Sequence, residues 1–197
     1  MTRLRCAVLL SGGGRTLVNL ARCVEAGELD LDIALVVSSR RTAGGIERAR
    51  ELGLPVEVLR PRDFEDRAAF AAAQSERLRA AEPDVVLMAG YLVHFPIPDW
   101  LEGRVLNIHP SLLPAHGGQG MYGDRVHESV LAAGDTETGC TVHVADDEYD
   151  QGPVVHQERV PVEPGDTVET LAARVFEAEC RAYPEAIRRF AEGLREG

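Results

Sequence analysis

Short runs of valine, isoleucine and leucine alternate with longer amphipathic stretches through the first half of this chain, and this alternation restricts the fold more than any other feature. The apolar runs contain few polar positions, which is typical of strands buried on both faces. Strands joined by helices predict a parallel sheet with right-handed crossovers. The predicted strands are residues 5–10, 32–38, 55–59 and 84–89, and the predicted helices are residues 16–26, 45–52 and 64–81.

The pattern changes in the second half of the chain. A further helix is predicted at residues 126–133, and two antiparallel strands are predicted at residues 140–144 and 154–160. Asp166 and Glu169 have the spacing of a capping box and open a last helix, which Pro184 is expected to interrupt. The predicted fold class is α/β, with a Rossmann-like, mostly parallel twisted sheet, helices on both faces and an antiparallel excursion near the C-terminal part.

Composition limits the class of protein. With 197 residues, of which 45% are hydrophobic, we expect one domain over residues 1–197. The net charge is -11 and no stripe of basic residues is present, so a nucleic acid partner is not expected. The longest apolar run is about half of the ~20 residues that a membrane helix needs, so no membrane association is expected. The four cysteines have no paired spacing, which favours the cytoplasm, and nothing indicates an oligomeric state.

Asn107 and His109 are the strongest candidates for catalysis. They are two residues apart at the end of an apolar run, so an extended backbone directs both side chains to one side. Pro110 and Pro114 then end the strand. A lone histidine is more often structural, but an amide beside an imidazole is also what a developing oxyanion requires. The pair therefore predicts attack on a carbonyl carbon.

A glycine-rich turn, residues 11–16, lies between the first predicted strand and helix. Backbone N–H groups and the positive end of the helix face a ligand at such a turn, which suits a phosphate. The turn lacks the third glycine of a dinucleotide motif and the lysine of a P-loop, and a plain turn that needs positive φ is the alternative. No dinucleotide or triphosphate is implied.

Four carboxylates lie close together in residues 146–150. Such a group ordinarily marks a solvated loop or a metal site, and these readings stay open. A carboxylate next to His109 would instead raise the pKa of the imidazole and keep it protonated at neutral pH. No pair of histidines has the spacing of a zinc site with an acid between them, and we predict that no metal is needed.

Three segments together carry a resemblance to a known family: the turn at Ser11, the run Asn107-Ile108-His109-Pro110-Ser111-Leu112-Leu113-Pro114, and the run Asp150-Gln151-Gly152-Pro153. They resemble the folate-dependent phosphoribosylglycinamide formyltransferases of purine synthesis, over nearly the whole chain. The resemblance implies that the amine of glycinamide ribonucleotide attacks the formyl carbon of the co-substrate 10-formyltetrahydrofolate, with these two small molecules as the partners.

The resemblance also assigns roles to residues. His109 would be the proton donor, Asn107 the amide that holds the formyl oxygen, and Asp150 the carboxylate that raises the histidine pKa. Many members have serine and asparagine where this chain has Arg15 and Thr16, so the charge of Arg15 is expected at the phosphate. Residues 117–123 replace a shorter loop. The implied ribonucleotide-binding residues are Gly12, Gly13, Gly14, Arg15, Thr16 and Glu179, and the implied folate-binding residues are Arg67, Leu92, Val93, His94, Phe95 and Asn107.

Other functions remain compatible with the same residues. The acceptor of the formyl group would be a different amine in a formyltransferase for a sugar nucleotide or for methionyl-tRNA, and water in a formyl-folate hydrolase. The tRNA enzyme predicts an added basic domain, which this acidic chain lacks. A non-catalytic nucleotide-binding module would keep the glycine turn and not depend on His109.

Overall fold

The computed structural model describes residues 3–196, and the chain divides into two compact units, Met1–Leu106 and Asn107–Gly197. The first unit contains β1 (Leu4–Leu10), α1 (Arg15–Glu25), β2 (Leu31–Ser38), α2 (Gly44–Glu51), β3 (Val56–Val58), α3 (Arg67–Ala81) and β4 (Val85–Met88). Strand β5 (Val105–His109) begins in the first unit and ends in the second. The second unit continues with α4 (Asp124–Ala133), β6 (Glu137–Val144), β7 (Val154–Pro161) and α5 (Val168–Glu196).

The first unit is built on parallel strands in the order β3-β2-β1-β4. Cys6 of β1 is aligned with Ile33 of β2 and with Val85 of β4, and β2 pairs with β3 in the same direction. Strand β1 is fully buried from Cys6 to Leu10, because helices cover a parallel sheet on both faces. Burial of the strands on both faces therefore explains the continuous apolar runs of the sequence.

The second unit has the strand order β5-β6-β7, and β6 and β7 are antiparallel. Thr138 is opposite Val160, and Val142 is opposite His156. Helix α5 packs on β6, β7 and α4. The α/β fold class and its antiparallel excursion are thus confirmed, whereas the single domain over residues 1–197 stays a prediction.

Helix α5 corrects two predictions. It runs through Pro184 without a break, because Tyr183, Ala186 and Ile187 around the proline are buried and their packing outweighs one missing backbone hydrogen bond. The capping box is formed by Thr167 and Thr170 and not by Asp166 with Glu169: each threonine hydroxyl accepts from the other's backbone N–H, at 2.9 and 3.2 Å.

Asp166 has a different role from the one that its spacing indicated. Its carboxylate accepts from the Arg174 guanidinium at 2.6 and 3.0 Å and from the backbone N–H of Glu163 at 2.8 Å. These donors hold the pKa of Asp166 far below its usual value.

None of the helices in the described part of the chain is both long enough and apolar enough to cross a bilayer.

Candidate active site

Asn107 and His109 lie at the carboxyl end of β5, and their side chains meet at Asp150. The amide Nδ2 of Asn107 is 3.5 Å from Asp150 Oδ1, and His109 Nδ1 is 3.5 Å from Asp150 Oδ2. The residues between and before them, Leu106 and Ile108, are buried on the opposite side. The structure therefore places Asn107 and His109 on one side as the strand spacing predicts, and it brings Asp150 to them as the resemblance implies; their roles in catalysis stay predictions.

The loop after β6 delivers Asp150 to this position. Asp150 has a left-handed backbone, with φ of 59°, and the backbone N–H of Gly118 donates to its Oδ2 at 2.9 Å. Gly152 makes the loop possible, because a Cβ there would stand 1.8 Å from the carbonyl oxygen of Val144. The glycine of the sequence run Asp-Gln-Gly-Pro is thus required by a close approach of two backbones.

The pKa of Asp150 lies below the usual value of a carboxyl group. Burial alone would raise it, but the contact with the His143 imidazole, the charge that His109 carries when it is protonated and the N–H of Gly118 together outweigh burial. Asp150 is therefore an anion at neutral pH. This anion lies 3.5 Å from Nδ1 of His109.

The predicted protonation of His109 at neutral pH is wrong for this structure. The ring is buried, and burial lowers its pKa below 6.5 more than Asp150 and the carbonyl oxygen of His116 raise it. Its Nε2–H donates to that carbonyl at 2.9 Å, so the neutral ring carries its proton on Nε2. Nδ1, which faces Asp150, is the nitrogen that takes up a second proton.

His143 is a member of this cluster that sequence reasoning missed. It is buried on β6, its Nδ1–H donates to the Val144 carbonyl at 3.2 Å, and its Nε2 accepts from Asn107 Nδ2 at 3.0 Å. The imidazole thereby fixes the orientation of the amide. The sequence contained one signal for His143, because it is a polar residue at an inward position of a predicted strand. Its partner Asn107 is 36 positions away in the chain, so the contact itself could not be read from the sequence.

The glycine turn belongs to the first unit. Gly14 has φ of 75° and precedes α1, and a Cβ there would stand 2.6 Å from the Cα of Gly45. The guanidinium of Arg48 donates to the carbonyl of Gly13 at 2.6 Å, a contact that the sequence did not indicate. Gly12, Gly13 and Arg15 are exposed and Thr16 is half-buried. Positive φ and close approach therefore both require a glycine at position 14.

The segment implied to bind folate follows β4 in the same unit. The backbone N–H of Leu92 donates to Ser11 Oγ at 2.8 Å, so this segment is joined to the start of the glycine turn. Leu92 and His94 are exposed, Val93 is half-buried and Phe95 is buried. Arg67 is exposed at the first position of α3. Of these residues of the first unit, Arg67, Leu92 and His94 are thus accessible to a ligand.

Glu179 lies on α5 in the second unit and is half-buried. Burial raises the pKa of the Cys140 thiol on β6, and the nearby charge of Glu179 adds to this effect, so that this pKa is about 12.

Among residues 3–196 no group of three or more histidine, cysteine or acidic side chains is arranged to hold a metal ion.

Comparison with known proteins assigns the class. The family model described as formyl transferase matches residues 4–187. A crystal structure of glycinamide ribonucleotide transformylase 1 from Symbiobacterium toebii superposes with a TM-score of 0.90 at 41% identity, over 98% of this chain and 89% of the other. The phosphoribosylglycinamide formyltransferase of Haemophilus influenzae is 34% identical over 96% of this chain and 88% of its own length.

A longer relative has the same segment as part of a larger protein. The trifunctional purine biosynthetic protein adenosine-3 of Bos taurus is 39% identical over 96% of this chain, which spans 18% of the bovine protein. The chain belongs to the formyl transferase family and, within it, to the phosphoribosylglycinamide formyltransferases.

Proposed function

We propose that this chain transfers a formyl group from 10-formyltetrahydrofolate to the primary amine of 5'-phosphoribosylglycinamide. The observation that carries the proposal is the cluster of Asn107, His109 and Asp150 at the end of β5, in a chain of this family. An amide and an imidazole that each lie 3.5 Å from the same carboxylate suit acyl transfer to an amine. Small-molecule partners and a cytoplasmic location belong to the same proposal.

The reaction has a simple balance of bonds and protons. A bond forms between the acceptor nitrogen and the formyl carbon, the bond from that carbon to N10 of the folate breaks, and one proton passes from the acceptor nitrogen to N10. The intermediate is tetrahedral and carries negative charge on oxygen, so it is stabilised by an N–H that points at this oxygen.

Asn107 is the proposed donor to that oxygen. Its 3.0 Å hydrogen bond to His143 holds the amide in place, and its 3.5 Å contact with Asp150 is long for a hydrogen bond. The formyl oxygen would replace this second, weaker contact. One N–H of the amide would then stay on His143 while the other turns to the substrate.

His109 is the proposed carrier of the proton. A neutral imidazole accepts the proton of the attacking amine and returns it to the leaving N10, and its lowered pKa favours the neutral form at pH 7. Asp150 would stabilise the ring during the short time in which both nitrogens are protonated. This role replaces the permanently protonated donor expected from the sequence.

The remaining site residues are assigned to the two substrates. Residues 12–16 would bind the ribonucleotide phosphate through backbone N–H groups at the start of α1, and Glu179 would bind its ribose hydroxyls. Arg67 would meet the negatively charged end of the folate. Residues 92–95 would line the pocket of its pterin ring.

The test is a comparison of formyl acceptors. The purified chain is supplied with 10-formyltetrahydrofolate and with glycinamide ribonucleotide, a sugar-nucleotide amine, methionyl-tRNA or water alone, and the products are identified by mass spectrometry. We expect formylated glycinamide ribonucleotide. Formylation of another amine, release of formate alone, or binding without turnover would each replace the proposal by the corresponding alternative.

His109→Ala tests the assigned chemistry. We expect a loss of turnover on the order of 100-fold or more, because a positioned acid–base group contributes about that much. Binding of the ribonucleotide, measured by calorimetry, should be retained. Unaltered turnover would remove His109 from the mechanism.

A further inference from the structure

Residues 116–118 contact both His109 and Asp150 through their backbone. The carbonyl oxygen of His116 accepts from His109 Nε2–H at 2.9 Å. Two residues further on, the N–H of Gly118 donates to Asp150 Oδ2 at 2.9 Å, and this is the same oxygen that faces His109 Nδ1. The relative position of the imidazole and the carboxylate therefore depends on where this short segment is held.

The side chain of His116 attaches the segment to α4. Its Nε2 is 2.7 Å from Asp135 Oδ2 and its Nδ1 is 2.8 Å from Ser129 Oγ. Ser129 lies on α4, and Asp135 follows Gly134, the glycine that caps this helix. The side chain of His116 is 14% exposed and that of Asp135 is 40% exposed, so the imidazole is largely shielded from water while the carboxylate is open to it. The two ring nitrogens are thus bound to one residue of α4 and to one residue just beyond its C-terminal end.

The backbone of the segment is in a conformation that needs such support. His116 has φ of 54°, in the left-handed region that residues with a side chain rarely adopt. Next to it, a Cβ on Gly117 would stand 2.5 Å from Leu113 Cδ2 and 3.3 Å from the Cβ of Asp150. The segment is therefore tightly packed against Asp150, and a shift of its backbone would displace the carboxylate.

We infer that His116 is a positioning residue: its imidazole, bound between Ser129 and Asp135, holds the backbone that orients His109 and Asp150. Because a carbonyl oxygen only accepts hydrogen bonds, this backbone also fixes the tautomer of His109, with the proton on Nε2 and Nδ1 directed at Asp150. The effect of His116 on catalysis rests on the proposed function, whereas its effect on the His109 tautomer does not.

The first test is spectroscopic and needs no substrate. Protein labelled with ¹⁵N histidine is observed by NMR, and the His109 signals are identified by their loss in His109→Ala. In His116→Ala and Asp135→Ala we expect the His109 pattern to change from one Nε2–H tautomer to a mixture. Asp135→Asn keeps an oxygen acceptor at the same place and should preserve the original pattern.

The second test is kinetic. We expect kcat for formyl transfer to fall on the order of 10-fold in His116→Ala and in Asp135→Ala, because small displacements of catalytic groups are costly. The KM of both substrates should stay within about twofold, since neither residue binds substrate. His156→Ala is the matched control: it removes a half-buried histidine of β7 and should leave both the kcat and the His109 signals unchanged.

The outcomes separate the inference from the proposed function. If the wild-type chain does not formylate glycinamide ribonucleotide, the proposed function fails and the NMR pattern alone decides the inference. If the wild-type chain is active, unchanged His109 signals or an unchanged kcat in Asp135→Ala overturns the inference. Should His116→Ala fail to fold, Asp135→Ala and Ser129→Ala carry the test, because they leave residue 116 intact.

Discussion

At the scale of single residues, the proposed mechanism depends on the charge states of His109 and Asp150, which the surroundings shift toward a neutral ring and a charged carboxylate. Burial favours the neutral form of His109, while hydrogen bonds and nearby charge favour the anion of Asp150. The carboxylate is therefore fixed as an anion, and the imidazole is left neutral at pH 7 and able to accept a proton. A group that must accept and then return a proton works best in this condition.

Asp150→Asn tests this arrangement. The negative charge of Asp150 raises the pKa of His109, so its removal should lower that pKa further and move the acid limb of the pH–rate profile to lower pH. We also expect kcat to fall on the order of 100-fold, because the protonated ring loses its stabilising partner. NMR titration of His109 and a pH–rate profile measure the two effects.

Asp147→Asn is the control for that prediction. Asp147 lies in the same loop and carries the same charge, but it is exposed to solvent. If both variants shift the His109 titration equally, the effect comes from net charge, and the specific role of Asp150 is excluded.

At the scale of elements, α5 shows how local signals compete with packing. Pro184 is an interruption signal in the sequence, yet the helix continues because buried side chains on both sides of the proline pack on β6 and β7. Its first turn is stabilised by a reciprocal pair of threonines, while the acidic residue with the expected spacing binds Arg174. The spacing of polar residues in the sequence did not show which of them caps the helix and which binds Arg174.

Thr167→Ala should destabilise the protein by about 1 kcal/mol, because it removes the hydroxyl that caps the first turn of α5. The free energy of unfolding from urea titration measures this change. Thr167→Ser keeps the hydroxyl and serves as the control, with an expected change of only a few tenths of a kcal/mol. Equal losses in both variants would show that the methyl group, and not the cap, is responsible.

At the scale of the whole molecule, three buried or half-buried histidines make stability depend on pH. Burial lowers the pKa of His109, His127 and His156 below 6.5 in the folded chain, and in the unfolded chain each returns to about 6.5. Below that pH the unfolded state binds more protons than the folded state. The free energy of unfolding should therefore be fully present above about pH 7 and fall as the pH drops through 6.5 toward the folded-state values.

Urea midpoints between about pH 8 and pH 5 measure this dependence. His127→Gln should make the slope smaller, because it removes one of the groups that must gain a proton on unfolding. Below about pH 4 the lowered pKa values of Asp150 and Asp166 add a further loss of stability. A stability that stays constant or rises on acidification to pH 5 would contradict the assigned histidine pKa directions.

The sequence predicted those parts of the site that depend on neighbours in the chain. The period of two in an extended strand placed Asn107 and His109 on one side, and the short strand-to-helix connection placed the glycine turn before α1. It did not predict His143, which reaches Asn107 from 36 positions away, nor Arg48 at Gly13, 35 positions away. It also did not predict that the carbonyl of His116 would be the partner of His109.

The amino-acid sequence by itself determined the α/β class, its parallel strands, the antiparallel pair and the position of Asn107 and His109, because each follows from periodicity and from residues close together in the chain. Only the tertiary structure decided the charge of His109, the tautomer set by His116, and the continuity of α5 through Pro184. These properties depend on burial and on partners from distant positions. Both exist only after the chain has folded.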